Sequence, residues 1–337
     1  MSEFITVAID GMGGDNGAPE MVKGAVNAVN DHDGVKVIIC GDEDTINTEL
    51  AKYEYIKDRI EVVHTTEEVE VDASPVMEIR QKKDSSMVVA MKLVKEGKAS
   101  GFVSAGSSGA ILVGGQLIVG RMKGIQRAPL APLVPNTEGI ALLVDAGANM
   151  DAKPEHLVQY AVMGSIYMEK IVGIKNPRVG IVNVGVEEHK GNKLVKDTYP
   201  MLKELDGINF IGSVEPREIP HGACDVIVCD AFVGNALLKV QEGLASALVH
   251  MIKDNIMKTT RTKIGGALVK PAMKNVMKLF DTTEYGGAPL LGLDGLVVKI
   301  HGNATHKEMK NAILQCVDFT DKKVNDTIKE AISNEVE

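Results

Sequence analysis

Apolar residues along the chain come in two rhythms: short continuous runs rich in β-branched residues, and longer segments in which apolar positions recur every three or four residues. The short runs predict strands over 4–10, 35–40, 60–63, 102–104, 139–145, 178–184, 208–211, 225–229 and 295–300. The longer segments predict helices over 44–52, 74–94, 110–122, 154–172 and 305–336, with another from about residue 236. Met21, Val22, Ala25, Val26 and Val29, behind Pro19, add a helix after the first strand. Strands that alternate with helices predict an α/β fold with a mostly parallel sheet. The proline-rich stretch 128–136 cannot pair as a central strand throughout, so it is expected at an edge or in a crossover. The whole chain, 1–337, reads as one α/β catalytic domain carrying a helical arm over 241–280, weakened at Gly265-Gly266 and Pro271.

Five of the predicted strands run into loops rich in glycine and small polar residues. They are Asp10 to Asp15, Ser104 to Gly109, Asp145 to Asn149, Asn183 to Asn192 and Asp230 to Asn235. Ligands of open parallel sheets collect at the carboxyl ends of strands, which predicts one shared crevice. A helix that begins after such a loop turns its unpaired N–H groups toward it, and glycines let an anion approach the backbone. Ser107 or Ser108 could equally be an ordinary helix cap. The candidate phosphate- or substrate-binding residues are Asp10, Gly13, Gly14, Asp15, Ser104, Gly106, Ser107, Ser108, Asn149, Asn183, Gly185, Gly191 and Gly234.

Lys190 could hold an anion or a developing oxyanion, and the Asn235 amide at a helix start could donate a second hydrogen bond; a solvated lysine and a capping asparagine are the plain alternatives. Gly11-Met12-Gly13-Gly14-Asp15 lacks the spacing of a dinucleotide loop, and neither serine sits in a nucleophile elbow. Asp10, Asp15, Asp145 and Asp230 could gather round a divalent ion, but acids at strand ends also cap helices; no metal site and no cofactor are expected. Inorganic phosphate is itself a nucleophile, so an enzyme that uses it needs positioning and charge stabilisation more than a protein base.

A net charge of −9 argues against a general nucleic-acid binder. No apolar run is long enough to span a membrane, and Met1 to Phe4 leads into a strand with no leader pattern, which predicts a cytoplasmic protein. Cys40, Cys224, Cys229 and Cys316 lie in apolar segments and read as reduced core thiols. The arm departs from the acidic average: Lys258, Arg261, Lys263, Lys270, Lys274 and Lys278 stand between residues 257 and 280 with no acid among them. Lys270, Lys274 and Lys278 share one helical stripe, while Leu268, Val269, Met273 and Met277 belong to an apolar one. Three readings of the arm are open: a dimerisation surface, a contact with anionic lipid, and a dock for an acidic protein.

The residues 7–15, Ser104-Ala105-Gly106, 120–125, 151–161, Asn183-Val184-Gly185 with Lys190-Gly191-Asn192, Gly234-Asn235 and 285–288 resemble the bacterial phosphate acyltransferases of phospholipid synthesis over essentially the whole chain. The resemblance implies transfer of a fatty acyl group from acyl carrier protein to inorganic phosphate, with phosphate attacking the thioester directly. It implies a homodimer associated peripherally with the membrane, and a membrane glycerol-3-phosphate acyltransferase downstream. It implies a three-layer sandwich with a mostly parallel central sheet, similar to isocitrate and isopropylmalate dehydrogenases. The family's active-site lysine and asparagine fall on Lys190 and Asn235. Members commonly read Gly-Gly-Asp-His-Ala-Pro where this chain has Asn16-Gly17-Ala18-Pro19, and Asn-Thr where it has Ser107-Ser108, so no histidine is carried over to the first loop. The rival functions are a metal- and NAD(P)-dependent decarboxylating dehydrogenase of the same fold and a non-enzymatic scaffold at the membrane surface.

Overall fold

The computed structural model describes residues 4–70, 72–279 and 282–334. The expected ends of the arm at Phe280 and of the last helix at Val336 lie outside them. The strands form two sheets where the sequence predicts one, each within its own compact unit.

The first unit comprises the described residues of Met1–Pro132, Val162–Asn176 and Thr283–Glu337. Its strands are β1 (Ile5–Asp10), β2 (Val35–Gly41), β3 (Ile60–His64), β4 (Gly101–Ser104), β10 (Ala288–Leu290) and β11 (Leu296–Lys299), in the order β10-β11-β4-β1-β2-β3. All pairings are parallel except that of β10 with β11. Val7, Ala8, Ile9, Phe102 and Val103 are wholly buried, which is why these central strands read as unbroken apolar runs.

The second unit comprises the described residues of Leu133–Ala161 and Pro177–Thr282. Its strands β5 (Leu133–Asn136), β6 (Gly139–Val144), β7 (Arg178–Val182), β8 (Asn209–Val214) and β9 (Val226–Val228) take the order β5-β6-β9-β7-β8. β5 is antiparallel and lies at the edge, the place expected for its Pro135. Leu143, Val182, Val214 and Ile227 build the core of this unit.

The helices are α1 (Gly17–Asp31), α2 (Glu43–Leu50), α3 (Pro75–Gln81), α4 (Ser86–Lys95), α5 (Ser108–Gly114), α6 (Pro154–Tyr167), α7 (Lys193–Glu204), α8 (Ala231–Ile256), α9 (Thr260–Leu279), α10 (His306–Asp321) and α11 (Val324–Asn334). The predicted helix over 74–94 is two, α3 and α4. Asp84 turns out of the helix to accept from Thr66 N and Oγ1 at 3.0 and 2.6 Å, and Ser85 caps α4. The last predicted helix is also two, divided where Lys323 takes a positive φ of 51°.

α8 begins at Ala231, earlier than predicted, and the arm breaks at Met257 to Thr259 rather than at Gly265-Gly266 or Pro271, both of which lie inside α9. The break has a local cause: Thr259 and Thr262 cap each other's N–H groups at 3.2 and 3.1 Å. Gly266 lies against Ile256, so the two helices pack closely there. Between them runs an apolar groove of about 640 Å³ lined by Leu248, Met251, Ile252, Ile256 and Val269.

Candidate active site

In the second unit three neighbouring parallel strands end in register, Val144 of β6 beside Val228 of β9 and Val228 beside Ile181 of β7. Each is followed by one of the predicted loops, so the loops leave a single sheet edge side by side. The first is built on Asp145, wholly buried. Its carboxylate accepts from the N–H groups of Gly147, Ala148 and Asn149 at 3.1, 2.9 and 2.9 Å, and from Asn149 Nδ2 at 2.7 Å. Asp145 and the buried Asn149 therefore hold the loop in shape.

After β9, Asp230 is the N-cap of α8; its Oδ1 accepts from Phe232 N at 2.9 Å and Val233 N at 3.0 Å. Asn235 is thus a residue inside the helix rather than its cap, and its side chain lies beside Gly147. Among the described residues no hydrogen bond engages the Asn235 amide. Gly234 is where helix and loop touch: a Cβ there would stand 1.9 Å from Asp145 O.

After β7, Asn183 is buried and ties the loop to itself. Nδ2 donates to Lys190 O at 3.3 Å and to Ser213 Oγ at 3.1 Å, while Oδ1 accepts from Val184 N at 2.8 Å. Gly191, at φ +99°, passes so close that a Cβ would meet Asn183 Oδ1 at 2.4 Å. Lys190 lies over Gly185, with Nζ 3.0 Å from where a Cβ would stand, and its ammonium pairs with Glu187 at 2.8 Å. The hydrogen bond from Lys190 holds the Glu187 carboxyl below the usual carboxylate range. Both side chains are nearly half exposed, so an incoming anion can exchange for Glu187.

The first unit presents a comparable edge at β11, β4 and β1. Asp10 is buried, and its carboxylate accepts from Ser86 Oγ at 2.6 Å, Ser104 Oγ at 2.7 Å and Met12 N at 3.3 Å. Ser104 Oγ in turn accepts from Gly106 N at 2.9 Å. Asp10 and Ser104 thus join the two glycine loops from beneath. Gly13 packs on the Asp10 carboxylate and Gly106 N, Gly14 on Ala105 and Gly302 O, and Asp15 N donates to Gly302 O at 2.7 Å. Ser107 stands at the N-cap of α5, yet its side chain makes no capping hydrogen bond; Ser108, the first helical residue, is exposed.

Sequence reasoning missed Ser86 and Ser213, the partners of Asp10 and Asn183. Nothing local marks a hydroxyl whose partner lies 76 or 30 residues away. It also missed the organising part of Asp145, although an acid directly before Ala-Gly-Ala-Asn is the signature of such a loop.

All four cysteines are free and buried. Burial pushes the Cys224 thiol up to about 12 and raises the other three as well, so none is a nucleophile at neutral pH. Among the described residues no three His, Cys, Asp or Glu side chains are grouped to hold a metal ion.

The fold is that of the phosphotransacetylases. A phosphotransacetylase from Streptococcus pyogenes aligns at a TM-score of 0.59 and 17% identity over 97% of this chain and 95% of its own. The EutD phosphotransacetylase from Staphylococcus aureus aligns at 0.58 and 16%, over 97% and 94%. Within that architecture the sequence is specific. Residues 5–327 match the fatty acid synthesis protein family, and the chain belongs to it. It is 52% identical over 328 residues, 97% of both chains, to a phosphate acyltransferase of Alkaliphilus oremlandii, and 49% identical over 331 residues, 98% of both, to one of Clostridium botulinum. The chain is therefore an enzyme, an acyltransferase of lipid synthesis, rather than a nicotinamide-dependent dehydrogenase or a scaffold.

Proposed function

We propose that this enzyme transfers a fatty acyl group from acyl carrier protein to inorganic phosphate, and that Lys190 and Asn235 carry the chemistry. The observation behind this reading is the pair itself: an exchangeable ammonium on the loop after β7 and an unengaged amide near the start of α8, which follows the adjacent strand β9 at the same edge. The names of the relatives supply the acceptor and the group transferred. Lys190 gives up Glu187 to the phosphate dianion. A phosphate oxygen attacks the thioester carbonyl carbon, a C–O bond forms and the C–S bond breaks. The Asn235 amide donates to the carbonyl oxygen as it gains negative charge. The thiolate leaves and takes up a proton, giving acyl phosphate and the free thiol of the carrier.

The glycine loops after β1 and β4, with Ser107 and Ser108, offer backbone N–H groups of the kind that bind phosphate oxygens. Gly185, Gly191 and Gly234 keep side chains away from the Lys190 and Asn235 loops. The arm serves two surfaces. A second copy covers part of its exposed apolar face, and Lys258, Arg261, Lys263, Lys270, Lys274 and Lys278 meet an anionic membrane where a glycerol-3-phosphate acyltransferase uses the product.

Acyl phosphate formation from acylated carrier protein and phosphate tests the assignment. Lys190→Ala is expected to lower kcat/KM by about 10²- to 10³-fold, the usual cost of a missing transition-state charge donor. A folded Lys190→Ala enzyme with full activity overturns it.

A further inference from the structure

The segments that carry Lys190 and Asn235 also carry large apolar side chains that remain in water. Val184 and Val186 are 76% and 65% exposed, Phe232 is 72% exposed and Met150 is 54% exposed. Val184 and Val186 belong to the loop after β7 and Met150 to the loop after β6, while Phe232 lies in the first turn of α8, directly after β9; the three strands end in register. Adjacent strands lie about 4.8 Å apart, so the three segments start within a strip about 10 Å wide. Val184 and Val186 flank Gly185, over which the Lys190 ammonium lies, and Phe232 sits three residues before Asn235, one turn away on the same side of α8. The buried neighbours in these loops, Asp145, Asn149 and Asn183, hold the backbone, so the apolar side chains are displayed from a fixed frame.

We infer that Val184, Val186 and Phe232, with Met150 on the loop after β6, contact the acyl chain of the donor and set the enzyme's preference for chain length. The inference rests on the acyl-transfer reading above. The occupant follows from position: a group whose carbonyl lies between the Lys190 and Asn235 loops places its first methylenes against the apolar residues next to them in sequence. A chain of methylenes needs no polar partner and gains by covering such surface, about 0.8 kcal/mol for each methylene buried. The apolar stripe of the arm is poorly placed for this task. On α8, Leu244, Leu248 and Met251 lie on the side opposite Asn235 by helical spacing, the side whose earlier members Val233 and Leu237 pack on the core.

The test compares carrier protein loaded with a four-carbon and with a sixteen-carbon acyl group. For Phe232→Ser, and for Val184→Ser with Val186→Ser, kcat/KM is expected to fall about tenfold or more with the long donor and only about twofold with the short one. Phe232→Leu should restore most of the long-donor rate, which separates lost contact from lost folding. Equal falls with both donors, or none, overturn the inference. So does a change in sedimentation or vesicle binding without a change in the ratio, which would assign the patch to a partner or a membrane. Binding of a fluorescent sixteen-carbon acyl pantetheine thioester reads the patch without turnover. If the wild-type enzyme formed no acyl phosphate, the acyl-transfer reading would fail. Weaker probe binding by the serine variants would still uphold the apolar contact, and unchanged binding would remove it.

Discussion

Glu20 shows how single carboxylates join distant parts of the chain. It lies in the first turn of α1, and its Oε2 accepts from His306 N at 2.5 Å and stands 2.7 Å from His306 Nδ1, at the start of α10. Partial burial by itself would raise the carboxyl, but the hydrogen bonds from the His306 backbone and ring, with the charge of Lys23 nearby, bring it below the ordinary value. A carboxyl whose folded value lies below its unfolded one stabilises the fold above the unfolded value, about 4.3, and loses that contribution as pH falls through the folded value. Glu20→Gln should therefore be less stable than the wild type at pH 7, and the gap should close below about pH 4. Urea midpoints at both pH values check this, and a gap independent of pH refutes it. At this scale the sequence offered helix capping only as an alternative role for Asp145 and Asp230, and was silent where the partner is remote. Ser86 and His306 carry no local sign of Asp10 and Glu20.

Among the elements, α8 decides how the candidate site is presented. Glycine in the first turn of a helix costs roughly 1 kcal/mol relative to alanine by propensity, so Gly234→Ala would stabilise an isolated helix. Here the added Cβ would meet the backbone oxygen of Asp145 at 1.9 Å, and neither α8 nor the buried Asp145 loop can yield cheaply. Gly234→Ala is expected to lose about 1–3 kcal/mol net, read as a lower urea midpoint, and to lower kcat because Asn235 moves with the helix. An unchanged midpoint would show that the contact relaxes freely. The strands around this helix were legible because buried parallel strands carry continuous apolar runs. The start of α8 was not: Phe232-Val233-Gly234-Asn235 looks like loop until Asp230 is seen to cap it. The break in the arm was misplaced for a related reason. Glycine and proline weaken a helix, yet here the new helix begins where Thr259 and Thr262 cap each other at the start of α9.

For the molecule as a whole, the order of strands and helices along the chain was readable, but their division between two sheets was not. Every central strand presents the same apolar run whichever sheet it joins, and β1 pairs with β4 across more than ninety residues. Charge distribution, by contrast, was plain from the start. A chain of net charge −9 gathers six cations and no acid between residues 257 and 279, and Lys270, Lys274 and Lys278 are all exposed on α9 beside Leu268, itself 78% exposed. No helix among the described residues is long and apolar enough to cross a membrane. Cations near an anionic surface each contribute about 1 kcal/mol, so Lys270→Glu with Lys274→Glu should weaken binding to phosphatidylglycerol vesicles by about thirtyfold or more. Raising salt from about 0.1 to 1 M, which shortens the screening length from about 10 to 3 Å, should have a similar effect on the wild type and little on the variant. Co-sedimentation with anionic and neutral vesicles measures both. Binding that ignores charge and salt alike would leave the apolar stripe, covered by a second copy, as the whole purpose of the arm. In that case Leu268→Glu should convert a dimer to monomers in sedimentation while Lys270→Glu does not.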